Sequence, residues 1–162
     1  LMATEPLDVD GLLAELKQDN QPWAGLPGQT RIGHVHLHVA DLPEAETFYR
    51  EILGFDIMLR YGPSALFVSA GGYHHHIGLN TWAGPGAPPQ PPDSVGLRHF
   101  TIILPNETER GRLLAHLQVT RVSFSEEGDV IVLRDPSNNG IQLVVGSQLN
   151  VPDTTLSLEN AQ

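Results

Sequence analysis

Gly33-His-Val-His-Leu-His-Val39 alternates, residue by residue, between imidazole and aliphatic side chains. Successive side chains of a strand point to opposite faces, so a strand here sets His34, His36 and His38 on one face and Val35, Leu37 and Val39 on the other. The segment reads as a half-buried strand with three histidines on its open side. Asp41-Leu-Pro-Glu44 follows, with the spacing of a capping box and a proline in the first turn. Ala45, Phe48, Tyr49 and Ile52 then fall on one helical face, and Gly54 is a natural stop. Three further strands are expected at 56–61, 65–69 and 73–81. This stretch is β-α-β-β-β.

Working outward, residues 83–95 hold five prolines. Proline lacks an N–H, which excludes a helix interior or a central strand, so this is read as a crossover linker of polyproline character. The pattern then restarts. Leu97-Arg-His-Phe-Thr-Ile-Ile-Leu104 reads as a strand, and Asn106 with Glu109 as a second helix cap. Leu113, Leu114 and Leu117 mark the helical stripe, and strands are expected at 119–124, 130–133 and 140–145. Asp135-Pro-Ser-Asn-Asn-Gly140 is dense turn chemistry. His34 and His99 lie 65 residues apart, and Ile77-Gly-Leu79 and Ile141-Gln-Leu143 lie 64 apart. A near-constant offset across separate landmarks marks an internal repeat. The fold class is α+β: two βαβββ modules forming a cup-shaped mixed β-sheet with helices outside.

The flanks differ from the modules. Residues 1–30 carry five acids and one base. They read as a short helix capped by Asp8 or Asp10, with Leu12, Leu13 and Leu16 on one face, followed by a Pro/Gly-rich linker. The expected layout is a lead-in at 1–30, a paired-module domain at 31–146 (31–82 and 96–146, joined by 83–95), and a polar tail at 147–162.

Composition narrows the function. There is no cysteine, which removes disulfides, thiolate metal sites and thiol catalysis. Nine basic against nineteen acidic residues give a net charge of −10, which disfavours nucleic acid and anionic lipid as partners. No apolar run approaches the roughly 20 residues of a membrane span, and no secretory signal is evident at the N-terminus, so the expectation is cytoplasmic. The chain has eight histidines and one lysine, Lys17, and His74-His-His76 is an internal triplet. Neutral imidazole is a common ligand of Zn, Fe, Mn, Ni and Cu.

Related by a pseudo-twofold, the two modules would turn the inner faces of their first and last strands toward one another. The repeat picks out four positions: His34, Gly78, His99 and Gln142. In a continuous strand His74 and His76 share the face of Gly78, and His75 points the other way. His36 and His38 are expected along the cup wall, and His116, Trp23 and Trp82 in packing roles.

The residues 33–42, Phe48-Tyr-Arg-Glu-Ile-Leu-Gly-Phe55, Leu97-Arg-His-Phe100 and Asp135-Pro-Ser-Asn-Asn-Gly-Ile-Gln-Leu143 resemble the vicinal oxygen chelate superfamily, which includes glyoxalase I, extradiol ring-cleaving dioxygenases and bleomycin-resistance proteins. Ser69-Ala-Gly-Gly-Tyr-His-His-His-Ile-Gly-Leu-Asn-Thr-Trp82, with the acidic lead-in, looks like the C-terminal half of bacterial catechol-2,3-dioxygenase-like proteins. The resemblance implies that His34 and His99 are metal ligands. It implies that Gly78 stands where glyoxalases carry a ligating Glu, and that Gln142 stands where extradiol enzymes carry the Glu that completes an Fe(II) site. An amide brings an oxygen without a charge. His76 is a further candidate ligand, and Tyr73 and His74 are candidate acid/base groups.

The resemblance implies a metal-dependent enzyme, an extradiol, catechol 2,3-dioxygenase-like dioxygenase. Its cofactor would be Fe(II) or Mn(II), with Zn or Ni as alternatives, and its substrate a chelating aromatic diol. A homodimer or an N-terminal sister domain is the expected partner. Two other readings stand beside it: a glyoxalase-like or small-molecule-binding module, and a non-catalytic half of a two-domain dioxygenase. Gly78 and Gln142 deny the glyoxalase reading its paired carboxylates.

Overall fold

The structure is a computed structural model that describes residues 6–17, 22–27 and 30–146. The expected tail, 147–162, lies outside the described residues. The chain divides into two compact units, Leu1–Arg31 and Ile32–Gln162. In the first, helix α1 (Val9–Leu16) is capped by Asp8, whose carboxylate accepts the Gly11 N–H at 2.9 Å. The apolar face read from Leu12, Leu13 and Leu16 is present but exposed, and α1 buries none of its residues.

The second unit is the paired-module fold. In the first module β1 (Val35–His38) leads to α2 (Leu42–Glu46), followed by β2 (Asp56–Tyr61), β3 (Ala65–Ser69) and β4 (Ile77–Asn80). In the second, β5 (Phe100–Leu104) leads to α3 (Glu107–Thr120), β6 (Phe124–Glu127), β7 (Val130–Arg134) and β8 (Gly140–Val145). The sheet orders are β1-β4-β3-β2 and β5-β8-β7-β6, each with one parallel pair at its leading edge. The repeat extends to register. His36 pairs with Gly78 and Thr101 with Gln142, at offsets of 65 and 64 residues. Among the described residues no strand of one sheet pairs with a strand of the other, so the expected cup consists of two four-stranded ladders and not one closed sheet.

Caps and burial follow the sequence. Asp41 accepts the Glu44 N–H at 2.8 Å, and Asn106 accepts the Glu109 N–H at 3.0 Å. In β1 Leu37 is buried while His36 and His38 are exposed. The first helix departs from expectation. After Glu46 it widens into a π-helical stretch, Thr47–Ile52, closed by Leu53 N–H onto Phe48 O at 3.0 Å. Its buried face still comprises Ala45, Phe48 and Tyr49.

Two strand boundaries also move. The strand expected at 73–81 begins at Ile77, because a turn through Gly71 and Gly72, at φ 66° and 75°, throws residues 73–76 out of regular extension. The strand expected at 119–124 gives way to α3, which runs through Thr120. There Arg121 adopts φ 57° and Val122 N–H returns to Leu117 O, a left-handed C-terminal cap that outweighs the β preference of Val119 and Thr120.

Both sheets feed one core. Leu37, Phe48, Tyr49, Leu66 and Leu79 of the first module cluster with Leu117, Ile131, Ile141 and Leu143 of the second. A polar clamp accompanies it. Asp135, 5% exposed, accepts from Tyr49 Oη at 3.0 Å and from Asn139 Nδ2 at 2.8 Å, and also from the backbone N–H groups of Ser137 and Asn139. The same turn reaches the end of β1 and the residue two beyond it: Asn139 Nδ2 donates to His38 O at 3.2 Å, and Ala40 N–H donates to Ser137 Oγ at 2.8 Å. The turn chemistry read at 135–140 is therefore the joint between modules.

Candidate metal centre

The open face of β1 and the loop before β4 carry the chemistry. His34 stands immediately before β1, as His99 stands immediately before β5. The turn at Gly71-Gly72 brings the histidine triplet back toward His34. His34 and His75 have ring centroids 4.6 Å apart, His74 and His75 also 4.6 Å, and His34 and His74 6.0 Å. One ring nitrogen from each of His34, His74 and His75 lies within 4.8 Å of the others. Among the described residues this is the only group of three His, Asp or Glu side chains that converges so closely.

His75 was expected to point away, and its inclusion is the main correction to the alternation argument. That argument needed residues 73–76 to be extended, and they are not. His75 is half-buried, its Nδ1 is shielded from solvent, and that nitrogen has no hydrogen-bond partner in the structure. Burial pushes its pKa down, and the neighbouring His34, His74, His36 and His76 add to the shift. The neutral ring, with a free lone pair, is thereby favoured.

His76 has a different task. Its Nδ1 accepts the Ala70 N–H at 3.2 Å and lies 2.9 Å from Ser69 Oγ, and its backbone N–H donates to Val68 O. These contacts pin the loop to the end of β3. Tyr73 packs on the rings of His74 (4.2 Å) and His76 (4.8 Å), and Phe67 meets His75 edge-on at 5.1 Å. His36 lies over Gly78, where an added Cβ would sit 3.0–3.2 Å from its ring atoms. Gly78 is thus covered by imidazole. The pKa of His36 is lowered, chiefly by burial and then by His38 and His34.

His99 and Gln142 belong to the second sheet. Gln142 is half-buried on β8 between Thr101 and Val132, and His99 is exposed beside Gly140. No hydrogen bond or ring contact ties either to His34. His116 Nε2 donates to Glu51 O (3.0 Å) and bridges α3 to the first module. Trp82 packs on His36 at 5.1 Å and is 60% exposed.

Beside this face lies a cleft of about 1060 Å³, bounded by β1 with Ala40, by the proline linker and by the 134–139 turn. His36, His38, Arg98 and Arg134 are the basic side chains of its lining. Imidazoles with one orphaned buried nitrogen among them suit a divalent cation. Gln142 is an amide and brings no carboxylate to a two-histidine, one-carboxylate Fe(II) set.

Residues 31–143 match the model of the glyoxalase/bleomycin resistance protein/dioxygenase superfamily, and the chain belongs to this family. Within it, the chain is 47% identical over 137 residues to a catechol-2,3-dioxygenase of Bacillus subtilis, covering 84% of this chain and 47% of that protein. The chain thus spans about half the length of this curated relative. A lactoylglutathione lyase from Agrobacterium tumefaciens superposes with a TM-score of 0.59 at 18% identity, covering 76% of this chain and 99% of the other. A glyoxalase/bleomycin resistance protein/dioxygenase from Alicyclobacillus acidocaldarius gives 0.56 at 20% identity (74% and 94%). An antibiotic-binding protein from Streptomyces gives 0.55 at 21% (74% and 98%). These structures share the fold. No helix among the described residues is long and apolar enough to cross a membrane.

Proposed function

We propose that the chain is a metal-dependent, catechol-2,3-dioxygenase-like domain that takes a small vicinal diol and cleaves its ring. The observation that carries this reading is the 47% identity to the Bacillus relative across 84% of the chain. The open histidine face next to a roomy cleft supports it. When bound, a divalent metal would supply Lewis acidity toward both diol oxygens and an open position for dioxygen. His34 is the ligand common to every arrangement considered, and His99 and Gln142 are the partners that the family pattern proposes. Tyr73, its ring 4.2 Å from that of His74, is the proposed proton carrier. Arg98 and Arg134 favour an anionic group on the substrate, because a guanidinium is charged at any working pH.

A second reading has its own support. Gln142 removes the carboxylate, and the relative is about twice as long as the match, so the reacting site of a two-domain protein could reside in its other half. One experiment separates the two. The protein is loaded anaerobically with Fe(II) or Mn(II), then given catechol and air. The yellow ring-fission product is expected from this chain alone. Metal and catechol bound without product would establish the non-catalytic reading.

A further inference from the structure

We propose that His34, His74 and His75 together form a divalent-metal site of three imidazoles, an alternative to a set that joins His34 to His99 and Gln142. The inference concerns ligands, and holds whether or not the chain cleaves a ring. Three features converge on it. First, the three ligand nitrogens lie within 4.8 Å of one another. Tetrahedral Zn–N bonds of about 2.0 Å set nitrogens roughly 3.3 Å apart, so closure takes a shift of about 1.5 Å. His34 and His74 are exposed, and a change of side-chain rotamer covers that distance. Second, none of the three rings forms a hydrogen bond with another described residue, and His75 Nδ1 is buried with no partner at all. A shielded nitrogen without a partner is costly unless something occupies it. Third, the loop is built to hold its shape without metal, since His76 is fastened to Ser69 and Ala70 and Tyr73 packs across His74 and His76.

Donor chemistry selects the ion. Three neutral nitrogens with no carboxylate suit Zn(II), Co(II), Ni(II) or Cu(II) better than Mg(II), Ca(II) or Mn(II), which prefer oxygen. Three protein ligands leave at least one position open for water or a chelating oxygen. His76 is a positioning residue. Its lone pair at Nδ1 accepts the Ala70 N–H, so the ring holds the loop and does not ligate in this arrangement.

The test is metal titration of the purified chain, after chelation and dialysis, with Co(II) followed by its visible absorption and Zn(II) followed by calorimetry. One bound ion per chain is expected, with a tetrahedral or five-coordinate Co(II) spectrum. His74→Ala and His75→Ala should each weaken binding by tenfold or more, while His116→Ala, outside both ligand sets, should leave it within about twofold. His76→Gln should weaken binding less than His74→Ala and leave the Co(II) spectrum unchanged. Far-UV circular dichroism checks the fold of each variant, and His74 is exposed, so its loss does not threaten the core. Loss of binding in His99→Ala with retention in His74→Ala and His75→Ala would overturn the proposal. Absence of stoichiometric binding would overturn it too. Ring-fission activity is scored separately, so a bound but inactive protein counts against the proposed reaction and not against this site.

Discussion

At the scale of single residues, Asp135 accepts more hydrogen bonds than any other described side chain. Its two oxygens take four hydrogen bonds, from Tyr49, from Asn139 and from two backbone N–H groups. Removing it strands several buried donors at once, each costing about 1–3 kcal/mol. Asp135→Ala is therefore expected to destabilise the fold by about 3 kcal/mol or more, and Tyr49→Phe by about 1–2 kcal/mol, both read from denaturant melts. Tyr49 also sets an alkaline limit. Burial, then the charge and hydrogen bond of Asp135, raise its pKa well above 10.0. Folding thus favours the protonated phenol. That stability is intact below the ordinary tyrosine value and is lost as the pH climbs past it. Stability measured from pH 8 to 11 should fall more steeply for the native chain than for Tyr49→Phe. Equal slopes would show that other groups govern the alkaline limit.

At the scale of elements, the C-terminus of α3 offers a simple improvement. Arg121 occupies φ 57°, a conformation that suits glycine. Its backbone N–H makes the cap, and glycine keeps that N–H. Arg121→Gly is expected to stabilise the protein by about 0.5–1 kcal/mol, visible as a rise in melting temperature. The elements also show where sequence reading succeeded. Period-two alternation in 33–39, the caps at Asp41 and Asn106, and the glycine and proline punctuation were sufficient for the order β-α-β-β-β, twice. Alternation failed where the chain is not extended. His74, His75 and His76 were assigned faces as though they lay in a strand, whereas Gly71-Gly72 and the anchoring of His76 turn the triplet into a bent loop. The double glycine was the available signal. Nothing local announces that Val119 and Thr120 finish a helix, since their fate depends on the cap at Arg121 and on Leu117 being buried. The π-helical stretch at Thr47–Ile52 likewise leaves no periodicity distinct from an ordinary helix in so short a segment.

For the whole molecule, the two sheets share a core although they share no ladder. Ile141, fully buried on β8, clusters with Phe48 and Tyr49 of the other module. Ile141→Ala should cost about 3 kcal/mol and should weaken both modules together. A single transition is expected, coincident by far-UV circular dichroism and tryptophan fluorescence. Two separated transitions would mean that the modules are energetically independent. The same organisation accounts for a candidate site that the repeat alone does not give. The backbone of each module repeats down to the pairing of His36 with Gly78 and Thr101 with Gln142. The side chains repeat at His34 and His99 but not at the triplet, and the converging imidazoles lie on the first module.

The clamp at the joint also sets a timetable. Tyr49 and Asp135 are 86 positions apart in the chain, and Ala40 and Ser137 are 97 apart. A ribosome adding roughly 5–20 residues per second needs about 4–17 s to travel from Tyr49 to Asp135. Throughout that interval the first half lacks both the turn that locks it and the second-module side chains of the shared core, and the Tyr49 hydroxyl and Ala40 N–H remain hydrated. The nascent first half therefore waits, unsealed along one seam, until the hairpin turn of the second half emerges.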